Sequence, residues 1–395
     1  MTSDFFSIEK YVNGSSFKTQ DGTEEFYLTV ETKEDFSFAH ELDGLYESYM
    51  AAEEKCGLSK DTLIFSRFYV SDIANQKETL RKSKIFNELR SGAVSVIQQC
   101  PVYGGDINLL VYHIRTKDCC PLSKDIFTYD NENRRNGALI HGNYYNLLWI
   151  ANFYGIGDFD SYKQTNEIFK SFNSVLHDNG MTLLDNVIRT WVYVRDVDNH
   201  YKGMVDSRKA FFEQNGLTPA TRYIASTGIE GFSKEVNSLV AFDAYAIGNL
   251  KPEQIVRMEA PENLSPTIKY GVTFERGTRV KFGDRSHLHI SGTASIDKHG
   301  EVLYPADVRK QTQRAIDNIK ALLVPHGAAL KDMAYLIVYV RNLKDRKKVK
   351  EILDKEIPAG IPYLLLEGAV CRPAWLVELE GIAIISDSND FPTYF

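Results

Sequence analysis

The chain has 395 residues, 43% apolar and 25% charged, with a formal net charge of −7. This length allows two or three domains with cores of their own, and the composition excludes a disordered or fibrous chain. The mild acidity leaves no basic surplus for nucleic acid, and no apolar run approaches the roughly 20 residues of a membrane span.

The opening residues Met1-Thr2-Ser3-Asp4-Phe5 have neither a basic nor an apolar leader pattern, so no signal peptide is expected. Cys56, Cys100, Cys119, Cys120 and Cys371 are scattered without zinc spacing or a disulfide framework. Cys119-Cys120 reads as part of a loop. No metal or cofactor is expected, and a reducing cytoplasmic setting fits best.

Taken in chain order, three segments repeat one pattern. GLSKDTLIFSRFYVSDIAN begins at Gly57, GMTLLDNVIRTWVYVRDVDN at Gly180 and GAALKDMAYLIVYVRNLKD at Gly327. Each runs from a glycine through a polar stretch to an apolar strand ending in Tyr-Val, at Tyr69, Tyr193 and Tyr339. Ahead of the second strand, Lys163-Gln164-Thr165 precedes an apolar stripe of Ile168, Phe169, Phe172, Val175 and Leu176. Ahead of the third, Lys310-Gln311-Thr312 precedes Ala315, Ile316, Ile319, Leu322 and Leu323. Both are helices with one buried face. Closing strands follow as LLVYHI, LVAFDAYAI and LVELEGIAI. The basic run Arg341 to Lys350 alternates with apolar residues and reads as a solvated helix face.

The pattern predicts an α+β chain of three fused β-α-β-α-β units, at residues 1–130, 131–265 and 266–395. Crossovers place the helices on one face of each sheet, and the opposite faces cover one another in a pseudo-threefold barrel. The expected state is a monomer with this internal symmetry, with a higher oligomer open.

The third copy reads LHISGTASIDKHGEV, ADVRKQTQRAIDNIKALL, LKDMAYLIVYVRNLKD and CRPAWLVELEGIAI. Over roughly residues 280–386 it resembles the Rid/YjgF family, whose fold is of the bacillus chorismate-mutase type. The resemblance implies trimers with a cleft at each subunit interface, many of them hydrolysing enamines or imines. Deaminase members hold the substrate carboxylate with an arginine near the start of the last strand. The matching position here is Tyr363, which has no guanidinium fork. From about Asn136 onward the chain is similar to the chorismatases, Rid-like fusions acting on the enol-pyruvyl ether of chorismate. NGALIHGNYYNLLWIANFYG, RTWVYVRDVDN, TPATRYIASTGIEG, ISGTASI and CRPAWLVELEG carry that similarity. The Pro-Arg-x-Pro-type stretch usual after Tyr-Gly is missing between Gly271 and Phe274, and only His299 remains near the GTASI loop.

This resemblance implies that Glu378 protonates the enol ether and that pyruvate leaves beside a hydroxybenzoate. The partner is then a small aromatic-precursor carboxylate. Alignment places Ala241 and Tyr112 opposite Glu378 in the other copies. Glu380 shares its strand face, with Asp243 as its counterpart, so a structural role is expected for it. Arg189, replaced by Phe65 and Tyr335 in the other copies, and Arg276 are candidate carboxylate clamps; a buried or rim salt bridge is the other reading. Thr227-Gly228 and Ser291-Gly292-Thr293 are small-residue turns that let backbone amides approach a ligand. Gly292 and Cys371 resemble the hydroxybenzoate-forming subgroups. Tyr193 and Tyr270 are candidate hydroxyl contacts, with a core role also open for Tyr193. An enamine/imine deaminase and a non-catalytic metabolite-binding protein remain as alternatives.

Overall fold

Each apolar run ending in Tyr-Val becomes an inner strand of a six-stranded sheet. The computed structural model describes residues 2–8, 11–20, 22–32, 37–117, 120–127, 136–267 and 271–395. The first unit runs β1 (Thr2–Ile8), β2 (Val12–Lys18), β3 (Glu24–Val30), α1 (Phe38–Cys56), β4 (Leu63–Val70), α2 (Ile73–Lys82), α3 (Lys84–Leu89), β5 (Ala93–Gln98) and β6 (Ile107–Arg115). The second runs β7 (Ser123–Phe127), β8 (Asn136–His141), β9 (Asn146–Tyr154), α4 (Ser161–Asp178), α5 (Leu183–Asn186), β10 (Val187–Val194), α6 (Val197–Gln214), β11 (Ala225–Glu230) and β12 (Val240–Ile247). The third runs β13 (Ile255–Met258), β14 (Gly277–Lys281), β15 (Arg285–Ala294), α7 (Val308–Leu323), β16 (Met333–Val340), α8 (Arg346–Glu356), β17 (Tyr363–Glu367) and β18 (Val377–Ser386).

The sheet orders are β1-β2-β3-β6-β4-β5, β7-β8-β9-β12-β10-β11 and β13-β14-β15-β18-β16-β17, one topology used three times. Each unit is fuller than the expected β-α-β-α-β. A leading hairpin and an edge strand are added, and short mixed sequences such as SKDIF and GTRVK lack the apolar run that announces a buried strand. β7 and β13, assigned to the preceding unit by divisions at 130 and 265, pair with the sheet that follows them. Cys119 lies outside the described residues; among them Cys56, Cys100 and Cys371 are free thiols. No helix is long and apolar enough to cross a membrane among the described residues.

The shared Gln-Thr has a physical task. Asp160 and Asp307 cap α4 and α7 by accepting from the N–H of Lys163 and Lys310. Gln164 then accepts from Leu239 N–H at 2.7 Å and donates to Asn237 O at 3.0 Å, holding the entry to β12. Gln311 does the same at β18, accepting from Leu376 N–H at 2.9 Å and donating to Ala374 O at 2.9 Å. In the first unit Glu41 fills this place, accepting from Asp106 N–H at 2.6 Å. Thr165 and Thr312 bond back to the carbonyls of Ser161 and Val308, each at 2.7 Å.

The faces without helices meet in one core that draws on all three sheets. Trp149 stacks on Tyr245 and Tyr27 on Tyr112, each with centroids 4.4 Å apart. A buried ion pair crosses every seam. Arg67 meets Asp243 at 2.9 Å, Arg189 meets Glu380 at 2.5 Å, and Arg285 meets Glu25 at 2.5 Å. The exits of the three edge strands also interlock. Phe232 and Gln98 exchange backbone bonds, Glu230 N–H reaches Ala369 O at 3.0 Å, and Glu367 N–H reaches Cys100 O at 2.8 Å. Arg341, expected on a solvated face, instead makes two 2.9 Å bonds to Asp198 at the start of α6.

Removing one member of a buried pair leaves the other charge without compensation, at a cost of about 3–5 kcal/mol. Arg67→Ala is expected to lower the unfolding free energy by that amount. Urea titration checks it against an exposed control, Arg309→Ala, which should change little.

Candidate functional site

The seam between the second and third sheets opens into a cavity of about 410 Å³. One wall comes from β11 and α6, the other from β15 and β18. β11 is the edge strand of its sheet, so alternate N–H groups point away from β10 toward the third unit. Ser226 N–H donates to Ser291 Oγ at 2.9 Å and Glu230 N–H to Ala369 O. Gly228 lies between them on the same side and lines the cavity.

Glu378 enters from β18. Its residue is 4% exposed, and its carboxyl pKa is pushed up to about 8. Burial is the main cause and the charge of Glu380 adds to it, while Arg189 and Arg276 pull the other way. At neutral pH the group therefore holds its proton. Room for it depends on Gly292, where a Cβ would lie 2.3 Å from Glu378 Oε1. Gly292 sits where the β15–β18 register shifts between Ile290 and Thr293, and the bulge turns this backbone out of the ladder.

Register identifies the counterparts. Glu378 pairs with Tyr339, Ala241 with Tyr193 and Asn108 with Tyr69. The first-unit equivalent of Glu378 is thus Asn108, not Tyr112, which pairs four residues further along β6 opposite Phe65. Among the three equivalent positions only Glu378 is a carboxylate.

The most telling cation is Arg208, which the sequence reading missed. It is 1% exposed, on the inner face of α6. One nitrogen approaches Ser226 Oγ at 3.4 Å, while Nε and Nη2 have no hydrogen-bond partner among the described residues. Burial lowers its pKa, yet a guanidinium stays charged at any physiological pH. A buried cation with two unsatisfied donors is built to receive an anion. Lys202, Asp206 and Lys209 around it make the helix read as a solvated face. The usable signal was its helical spacing from Tyr201, Met204, Val205, Phe211 and Phe212.

Arg276 also lines the cavity, buried and donating from Nε and Nη2 to Ser265 O at 3.2 and 3.0 Å. Arg372 lines the mouth, with its guanidinium 5.0 Å from the centre of the Trp375 ring. Cys371 faces the same space; burial, then the charge of Glu378, pushes its thiol up to about 12. A thiol so held is no nucleophile near neutrality.

The structure thus brings together Glu378, Arg276, Gly228, Gly292 and Cys371. Several other candidates lie behind the cavity wall. Arg189 is committed to the seam, donating to Glu380, to Thr227 Oγ1 and to the carbonyl of Thr190. Glu380 also accepts from Trp191 Nε1 at 3.0 Å, from Tyr339 at 2.9 Å and from Thr227. Thr227 further accepts from Gly292 N–H at 3.0 Å, so its hydroxyl fixes the bulge. Thr293 donates to Ser291 O at 2.8 Å. Tyr193 is buried in the barrel core, and its hydroxyl has no hydrogen-bond partner among the described residues. Tyr270 lies outside the described residues.

The sequence model of the family described as Endoribonuclease L-PSP matches residues 279–385. A RutC family protein of Pyrococcus abyssi is 31% identical over 105 residues, 26% of this chain and 81% of that protein. This chain belongs to the Rid/YjgF family. Two further relatives of this Rid/YjgF protein come from Streptomyces hygroscopicus. One, named Chorismatase, is 27% identical over 212 residues, 49% of this chain and 60% of its own length. The other, named 3-hydroxybenzoate synthase, is 27% identical over 221 residues, 50% of this chain and 64% of its own. The chain therefore spans less than two thirds of the length of either. A chorismatase crystal structure superposes with a TM-score of 0.62 at 20% identity, covering 82% of this chain and 93% of that one. The tandem Rid fold is common to both.

A carboxyl raised from 4.5 to about 8 on folding is neutral in the native state and ionised in the unfolded state between those values. The unfolded state then binds fewer protons, so this group's contribution to stability falls as pH rises from about 4.5 to 8 and is level above. Glu378→Gln removes that dependence. Denaturant unfolding should show the variant gaining on the wild type from pH 5 to pH 8, with a constant gap at higher pH.

Proposed function

We propose that this chain is a cofactor-free, chorismatase-type enzyme that cleaves the enol-pyruvyl ether of chorismate to pyruvate and a hydroxybenzoate. The observation that carries this reading is a protonated, buried Glu378 facing a seam whose other wall presents the two unsatisfied donors of Arg208. The two Streptomyces relatives support it through their names.

Chorismate is a dianion with an apolar, partly unsaturated ring, and the cavity answers each part. Arg208 and Arg276 receive the carboxylates, while Val272, Phe274 and Trp375 offer apolar surface to the ring. Glu378 gives its proton to the terminal methylene carbon of the enol ether, and the neighbouring carbon becomes an oxocarbenium. Water adds there, and collapse of the resulting hemiketal breaks the bond to the ether oxygen and releases pyruvate. Dehydration of the ring product yields the hydroxybenzoate, so the added water is returned. Glu378 recovers its proton in these later steps. Gly292 leaves the carboxyl free to approach the substrate, and the buried Cys371 shapes the wall without reacting.

An enamine deaminase is disfavoured by the position that would grip a carboxylate in that chemistry. Tyr363 corresponds by register to Ser226 and Val94, so none of the three units has an arginine there. Tyr363 itself bonds to Lys350 and Asp354, outside this seam.

Purified protein is expected to release pyruvate from chorismate. Glu378→Gln should reduce kcat by about 10²–10⁴-fold, and Arg208→Met should lower kcat/KM by about a hundredfold, the scale of one buried charged hydrogen-bonding partner. Absence of pyruvate from the wild type, or full activity in Glu378→Gln, would overturn the assignment. Because the acid form is the active one, kcat should fall about tenfold per pH unit above pH 8. A stopped-flow or coupled lactate dehydrogenase assay from pH 6 to 10 checks this limb.

A further inference from the structure

The seam between the first and second sheets holds a cavity of about 420 Å³ in the place that corresponds to the candidate site. Here β5 stands for β11, and β8 with β9 for β14 with β15. The inner end is shut. Ala241 occupies the position of the acid, and Asn152 occupies that of Gly292 with a left-handed φ of 54°. Its side-chain oxygen accepts from Val96 N–H, the counterpart of Gly228 N–H, at 3.0 Å. Asn136 likewise accepts from Val94 N–H at 3.1 Å. The edge strand is therefore satisfied by amide side chains, and no carboxyl acid faces the space from the Glu378 position.

An outer chamber nevertheless remains. Leu80, Phe86, Val94 and Phe127 wall it, and Arg81 and Arg90 stand exposed at its mouth. Among the described residues four basic side chains line it against two acidic ones, Lys77, Arg81, Arg90 and Lys234 against Glu78 and Glu235.

We propose that this chamber is a second ligand site, which binds a small aromatic carboxylate and does not turn it over. The ring rests against Phe86 and Leu80, and the carboxylate takes the fork of Arg81 or Arg90. A pocket of this volume with apolar walls and few cations suits an organic anion of one ring.

Anthranilate, whose fluorescence reports its concentration, is the probe for equilibrium dialysis against the whole chain. Two bound molecules per chain are expected, one in each open seam. Arg81→Glu/Arg90→Glu should weaken one of the two at least tenfold, and Val96→Trp should remove the same one by filling the chamber. Both variants should keep the wild-type melting temperature and pyruvate release. A single binding site in the wild type, or dialysis curves for either variant that superimpose on the wild type, would overturn the proposal.

Discussion

The site depends on one buried ion pair. Arg189 and Glu380 meet at 2.5 Å across the seam of the second and third sheets, both almost fully enclosed. An isolated charge there would be expensive, and the pair is sustained by additional donors to Glu380 from Trp191, Tyr339 and Thr227. Two consequences follow. The seam is fixed in register, because Thr227 also holds the bulge at Gly292. And the charge of Glu380 stands beside Glu378, adding to burial in keeping a proton on that carboxyl. Glu380 thus serves the proposed chemistry without facing the cavity: it is a positioning residue for charge as well as for structure.

Seams of one topology have met different fates. In the second–third seam a bulge glycine leaves room for an acid and for a backbone amide. In the first–second seam asparagine takes the glycine's place and satisfies the edge strand itself, while alanine replaces the acid. A trimer of identical chains must repeat any substitution at all interfaces; a fused chain can alter each separately. The ion pairs show the same freedom: Asp243 and Glu380 are counterparts, but Arg67 and Arg189 reach them from different positions along β4 and β10, and Arg285–Glu25 uses other strands, β15 and β3.

Much of the architecture was legible because it rests on local patterns. The Tyr-Val strands, the amphipathic helices α4 and α7 and the closing strands all carry apolar periodicity that only one kind of element satisfies. The leading hairpins were not legible, since β7 and β14 are short and polar on much of their surface. Arg208 was hidden for a related reason. A charged residue on a charged helix normally faces water, and only the docking of α6 against the third unit turns it inward. Arg189 was read as either a substrate clamp or a salt bridge; the choice turned on Glu380, 191 residues away.

The sequence by itself determined the repeat, the strand that bears Glu378 and the loss of its counterpart in at least the second copy, because each is a matter of spacing along the chain. The tertiary structure alone decided which cations surround that acid, that its carboxyl keeps a proton, and which seams stay open. Those properties depend on distance and burial between segments far apart in sequence, and neither is encoded in the neighbours of any one residue.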